Sequence, residues 1–310
     1  MTFSPTPWLA HRHAQTLLAA FLPAPRAGLI TELVELADGD AVEIMRTGDP
    51  RGRPAVLLLP GLEGSISSPY AALLLEAWKA HGWCGTILHH RGSAQRPNRL
   101  VRGCHSGDWT DAAQVVAHLQ RLGATRVAAV GVSLGGNVLL KWLGESGSAC
   151  PLSGAVAVSV PFDLEACASA LDQGPFNIYR WHLLRDMRAS AWKKQHLNNI
   201  PWAELAALRS FHAFDDRLTA PQNGFAGVAD YYQRNSCRQF LGGITAPTTI
   251  VHALDDPFVP PASVPTPAEL PSAVRLVLSQ RGGHVGFLHG WRPRSWLTNA
   301  ITSHLEAHLT

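Results

Sequence analysis

Charge is what this chain of 310 residues has least of: 16% of them are Asp, Glu, Lys or Arg, where soluble domains carry roughly 25%. Its 26 Lys and Arg nearly balance its 23 Asp and Glu, for a formal net charge of +3. No basic run is long enough to track a phosphate backbone, so no nucleic-acid partner is expected. Long apolar runs are missing too. Arg, Asp, Glu, Gly or Pro interrupts every candidate before the roughly 18 residues a membrane-spanning helix needs, so no integral membrane segment is expected. Residues 17–22, behind His11, Arg12 and His13, resemble a leader only in outline. They lack a full hydrophobic region and stop at Pro23, which points to a cytoplasmic chain. Cysteines number five, at 84, 104, 150, 167 and 237. They are odd in number, scattered and without a C-x-x-C pair, and read as buried reduced thiols rather than disulfides or a zinc site.

What is present is apolar mass. Hydrophobic residues make up 46% of the chain and mean hydropathy is +0.02, which implies a large core and excludes disorder. Residues 29–45 alternate and contain Asp38-Gly39, the signature of an antiparallel hairpin. The pattern then changes to continuous apolar runs, at 55–59, 84–89, 126–132 and 155–160, as strands buried on both faces require. Helical patterns separate them at 70–81, at 111–122 and up to residue 143. That alternation predicts parallel β-α-β units. After Pro161 about eighty residues hold helical patches, Trp181, Trp192, Trp202 and no good strand; the tryptophans and leucines read as a small core of their own. Strands return at 248–254 and 274–278, and a helix closes the chain over 295–309. Length alone suggests two domains. The pattern predicts instead one α/β core, residues 1–161 and 246–310, interrupted by a helical cap over 162–245.

Gly131-Val132-Ser133-Leu134-Gly135 matches G-x-S-x-G directly between a strand and a helix. In that context the turn is tight, small flanking residues are required, and a strained serine projects its hydroxyl above the sheet edge. The helix N-terminus behind it favours developing negative charge. A serine hydroxyl is a weak nucleophile, so the chemistry needs a base oriented by an acid. Downstream, in that order, Asp255-Asp256-Pro257-Phe258-Val259-Pro260 follows one strand and Gly282-Gly283-His284 follows the next. Both lie at carboxyl ends of strands, where open α/β sheets place ligands. His284 is the candidate base. Asp256 fits the register in which an acid leaves the strand and the next apolar residues pack below it, and is preferred to Asp255. The oxyanion of acyl transfer needs two backbone N–H groups, each contributing a few kcal/mol. Leu134, after the serine, supplies one; Leu62, in Pro60-Gly61-Leu62-Glu63-Gly64 after the first parallel strand, is the candidate for the other.

With these residues in view the chain resembles the α/β-hydrolase superfamily, and within it the YheT-like branch of predicted hydrolases and esterases grouped with plant embryogenesis-associated proteins. Beyond the serine turn, the likeness rests on His13-Ala14-Gln15-Thr16, Pro60-Gly61-Leu62-Glu63-Gly64, His90-Arg91-Gly92 and Asn98-Arg99. It continues through His105-Ser106-Gly107-Asp108, Asp215-Asp216, Thr219-Ala220-Pro221, Tyr231-Tyr232 with Ser236, and Asp255-Asp256-Pro257-Phe258. The resemblance spans nearly the whole chain. It implies a mostly parallel sheet flanked by helices, a Ser133–Asp256–His284 triad and hydrolysis of carboxylic esters with short- or medium-chain acyl groups. Cys104 departs from the pattern, standing where an aromatic is expected before His-Ser-Gly. Many relatives carry a membrane anchor; none is expected in this sequence.

Fifteen histidines raise the question of a metal. His11 and His13, His89 and His90, and His105 lack H-E-x-x-H spacing or an attendant cysteine pair, so none is expected. His105 and Arg91 read as braces of a loop near the site rather than as reacting groups. No G-x-G-x-x-G or P-loop occurs, and no cofactor is expected. The leading expectation is therefore a serine esterase acting on a small acyl ester. An acyltransferase with the same triad, or a hydrolase-fold protein that only binds, is the alternative.

Overall fold

Continuous apolar strands cannot face water on either side, and in the computed structural model five of them form the middle of one sheet. The structure describes residues 3–25, 28–94, 97–173 and 177–310. The strands are β1 (Ile30–Glu35), β2 (Ala41–Arg46), β3 (Ala55–Leu59), β4 (Cys84–Leu88), β5 (Val127–Val132), β6 (Ala155–Val158), β7 (Thr248–Ala253) and β8 (Val274–Ser279). They lie in the order β1-β2-β4-β3-β5-β6-β7-β8. The hairpin β1–β2 turns at Asp38-Gly39, where Gly39 has a φ of +85°, and joins β4 antiparallel. From β4 to β8 every pairing is parallel. Strands β3 to β7 are buried along their whole length, whereas the edge strands β1 and β8 keep exposed positions.

The period of two divides the core between the faces. Leu57 and Leu59 join one cluster with Val115, Val116, Leu139 and Trp142; Val56 and Leu58 join the other with Leu75, Trp78, Ile301 and Leu305. Each such side chain contributes roughly 1.5–3 kcal/mol through burial. Helices α2 (Pro69–Ala80) and Trp296–Leu309 cover the second face, and α3 (Thr110–Arg121) and α4 (Leu134–Ser146) the first. An N-terminal helix also forms, α1 (Arg12–Ala19), in the stretch whose sequence had looked faintly like a leader. After β3 the chain moves to β4 on one side, and returns to lay β5 on the other. That reversal opens a crevice above the carboxyl ends of β3 and β5.

Between β6 and β7 the described residues are helical, with α5 (Leu164–Gln173), α6 (Asn177–Lys193) and the helix Val228–Asn235 as the longer pieces. Leu184, Met187, Phe211, Phe214, Leu218 and Tyr231 form a separate cluster here. The tryptophans do not, contrary to expectation: Trp181, Trp192 and Trp202 are all exposed. The inward stripe of α6 is Leu184, Met187 and Ala191; Trp192 is one residue, hence about 100°, further round. It packs on Trp202 with ring centroids 5.4 Å apart, while the Arg185 guanidinium covers Trp181 at 5.3 Å. Among the described residues no helix is long and apolar enough to cross a membrane.

Candidate active site

Ser133 ends β5 and begins α4 with φ at +54° and ψ at −121°, a conformation a non-glycine residue holds only under constraint. The constraint is crowding. A Cβ on Gly131 would stand 2.7 Å from the Gly136 Cα, one on Gly136 2.7 Å from Val160, and one on Gly135 would run into the Leu59 carbonyl. Glycines therefore let β5, α4 and the end of β3 close on one another. The serine Oγ is left above the crevice, 2.9 Å from Nε2 of His284.

The other imidazole nitrogen, Nδ1, lies 2.9 Å from Oδ2 of Asp256. The Asp256 side chain is fully buried, and its Oδ1 accepts the Phe258 N–H at 2.8 Å. Asp255 does not reach the ring. Its carboxylate accepts the N–H of Gly283 at 2.9 Å, and burial raises its pKa. Phe258 stacks on the imidazole with centroids 4.1 Å apart at 20°. Thr16 in α1 accepts the His284 N–H at 2.9 Å, and Ser159 accepts that of Val285 at 3.1 Å. Gln15 is fully buried; it donates to the Leu288 carbonyl at 3.0 Å and accepts the Leu288 N–H at 2.6 Å. The histidine loop is thus gripped by ring, side chain and backbone.

The turn after β3 approaches the serine from the opposite side. A Cβ on Gly61 would sit 3.2 Å from that of Ser133; the Gly61 N–H donates to the Tyr70 hydroxyl at 3.1 Å. Leu62 and Leu134 line the same cavity as Ser133 and His284. Among the described residues neither of their N–H groups has a protein acceptor. The cavity measures about 450 Å³ and takes its apolar wall from the segment between β6 and β7, including Leu164, Met187, Phe214 and Leu218.

Arg91 and the histidines considered for metal binding have other partners. Arg91 donates to both oxygens of Asp111 at 2.6 and 2.7 Å, and to Asp38 and Asp40, tying the β1–β2 turn to α3. His89 meets Glu43 at 2.8 Å, and His90 donates to the Pro60 carbonyl at 3.0 Å. His11 caps α1 through the His13 N–H. His105 accepts the Gly107 N–H, and burial pushes its pKa down to about 4. Among the described residues no three His, Cys, Asp or Glu are grouped to hold a metal. All five cysteines are free; Cys104 lines the cavity, and burial raises its thiol pKa.

Gln15, Thr16, Tyr231 and Tyr232 lie in the sequence motifs, and their roles come from contacts distant in sequence. Tyr231 accepts the Ser106 N–H at 2.9 Å and Tyr232 donates to Asp215 at 2.7 Å. Asn137, in α4, bonds the carbonyls of Ser106 and Asn235 at 2.7 Å each, joining the helix behind Ser133 to the inserted segment. Tyr70 and Phe258 stood beside recognised motifs, but their contacts depend on packing that no local spacing records.

The family described as alpha/beta hydrolase fold matches residues 54–290. The chain belongs to the α/β-hydrolase superfamily. "Putative esterase YheT" of Escherichia coli (strain K12) is 38% identical to this hydrolase, over 99% of the chain and 94% of its own length, which sets the chain in the YheT-like branch. "Phospholipase ABHD3" of Mus musculus is 32% identical over 94% of the chain and 75% of its own length. Among solved structures, the esterase Pf2001 of Pyrococcus furiosus superposes with a TM-score of 0.60 at 12% identity, covering 92% of this hydrolase and 94% of that chain. That likeness is one of fold. Esterase- and phospholipase-named relatives along the full chain indicate a hydrolase.

Proposed function

We propose that the protein is a serine hydrolase that cleaves carboxylic esters of short or medium acyl length through an acyl-enzyme. The observation that carries this reading is the unbroken pair of 2.9 Å hydrogen bonds from Ser133 to His284 to Asp256. Ser133 Oγ attacks the acyl carbon while its proton passes to Nε2 of His284. The Leu62 and Leu134 N–H groups stabilise the oxyanion. As the ester C–O bond breaks, His284 returns the proton to the leaving alcohol. Water, deprotonated by the same nitrogen, then adds to the acyl-enzyme, and as the acyl C–O bond to Ser133 breaks the proton returns to Oγ and the acid is released. Asp256 holds the imidazole in the tautomer that presents a bare Nε2 to the serine and stabilises the imidazolium. Residues 162–245 act as a cap on the core formed by 1–161 and 246–310. The 450 Å³ cavity beneath them suits an acyl chain of modest length and excludes bulk water from it.

A fluorophosphonate probe tests the reading directly. Labelling of the wild type and none of Ser133→Ala is expected; equal labelling of both, or of neither, sinks it. Rates over p-nitrophenyl esters of increasing chain length should peak at short to medium acyl groups, and a maximum at long chains would overturn that part.

A further inference from the structure

Glu63 lies one residue beyond the Leu62 N–H, in the turn that the Gly64 N–H closes onto the Gly61 carbonyl at 2.9 Å. Its φ is +55°. In such a turn the third position ordinarily belongs to Gly or Asn, and a glutamate there is strained. Strain of this kind persists only where the surroundings over-determine it. Here the side chain is the tether: its Oε2 accepts the Ser190 hydroxyl of α6 at 2.7 Å. The side chain lines the cavity that holds Ser133 and His284. The ionisable groups acting on it are Asp186 and Lys193 of α6, with the Cys104 thiol from the segment before α3. Burial pushes the carboxyl up to about 7, against the pull of the Ser190 hydroxyl.

We propose that Glu63, anchored to Ser190, is the positioning residue of the oxyanion site, fixing the turn that aims the Leu62 N–H into the cavity. The inference rests on the serine-hydrolase reading and deepens it. Ionised, Glu63 puts a negative charge beside the one developing on the substrate oxygen, where poor solvation makes like charges repel strongly. Turnover then falls as pH rises, opposite to the demand of His284, which must be neutral to act as base.

The test is the pH profile of kcat/KM on a neutral short-chain ester for wild type, Glu63→Gln, Ser190→Ala and Glu63→Leu, each checked by circular dichroism. Glutamine keeps an oxygen for Ser190 and cannot ionise. Wild type should show an alkaline decline that Glu63→Gln lacks, with the variant exceeding wild type roughly tenfold at high pH. Ser190→Ala removes a bond that favours the anion, so its decline should move to higher pH. Glu63→Leu, folded but without the tether, should lose kcat at every pH with KM little changed. An alkaline limb in Glu63→Gln matching that of wild type overturns the proposal, as does a folded Glu63→Leu with wild-type kcat. Fluorophosphonate labelling separates the two levels. An unlabelled wild type removes the underlying reading and this inference with it, whereas a labelled wild type with an unmoved alkaline limb removes this inference alone.

Discussion

Asp255 and Asp256 are consecutive, yet they hold different parts of one loop: Asp256 takes the imidazole of His284 at 2.9 Å and Asp255 the backbone N–H of Gly283 at 2.9 Å. Neutralising them should therefore have unequal effects. Asp256→Asn is expected to lower kcat/KM by about 10⁴, because the ring loses its tautomer control. Asp255→Asn retains an oxygen for the Gly283 N–H and should cost about tenfold or less. Steady-state kinetics on one ester decides it, and equal losses would contradict the assignment.

Gly135 meets the end of β3. A methyl group there has no room beside the Leu59 carbonyl, so Gly135→Ala should destabilise by about 3 kcal/mol or more. Gly242 has open space around an added Cβ, and Gly242→Ala should stay within about 0.5 kcal/mol. Urea unfolding of the two variants against wild type makes the comparison.

Arg91 neutralises a buried group of carboxylates. Arg91→Ala leaves Asp40 and Asp111 without their cation, which should cost about 3–5 kcal/mol. Burial pushes Asp40 up, but hydrogen bonds from Asn98 and from the N–H groups of Arg99 and Ala41, with the charge of Arg91, outweigh it and hold the carboxyl below 3.8. Its contribution is thus present above that pH and lost as pH falls through the lowered value. Wild type should lose more stability than Arg91→Ala on acidification from pH 5 to 3, measured by thermal unfolding.

Asp215 has the opposite sign. Burial, aided by the charge of Asp172, pushes its carboxyl up to about 6 despite bonds from Thr219 and Tyr232. The folded state therefore keeps this proton where the unfolded chain has lost it, so stability falls as pH rises from about 4 to about 6. Relative to Asp215→Asn, wild type should lose about 2 kcal/mol over that range. Denaturant midpoints at several pH values read it, and parallel curves would refute it.

The sheet was legible because strands buried on both faces cannot hide their composition: residues 55–59 form β3 as read, and the other central strands shift by a residue or two at their ends. The geometry at His284 was legible for a related reason. An acid that leaves a strand ahead of Phe258 and Val259 has one register, and Asp256 occupies it. Helix α1 was not legible, because what fixes it lies far away in sequence: Thr16 bonds His284 and Gln15 bonds Leu288. The tryptophans of the inserted segment misled because large apolar side chains imply a core only when an apolar surface arrives to cover them, whereas Trp181 meets the Arg185 guanidinium and stays exposed. Glu63 carried no local signal at all, since a left-handed glutamate is visible only in the backbone.

The bonds from Gln15 to Leu288 span 273 residues, and this has a bearing on synthesis. At about 5–20 residues per second, the first helix leaves the ribosome tens of seconds before its partner exists. Ser133 and the strand beneath it are complete in that interval while His284 is still unmade. On the proposed reading the nucleophile predates its base, and a nascent chain interrupted before Gly283 would carry the serine without the histidine proposed to activate it.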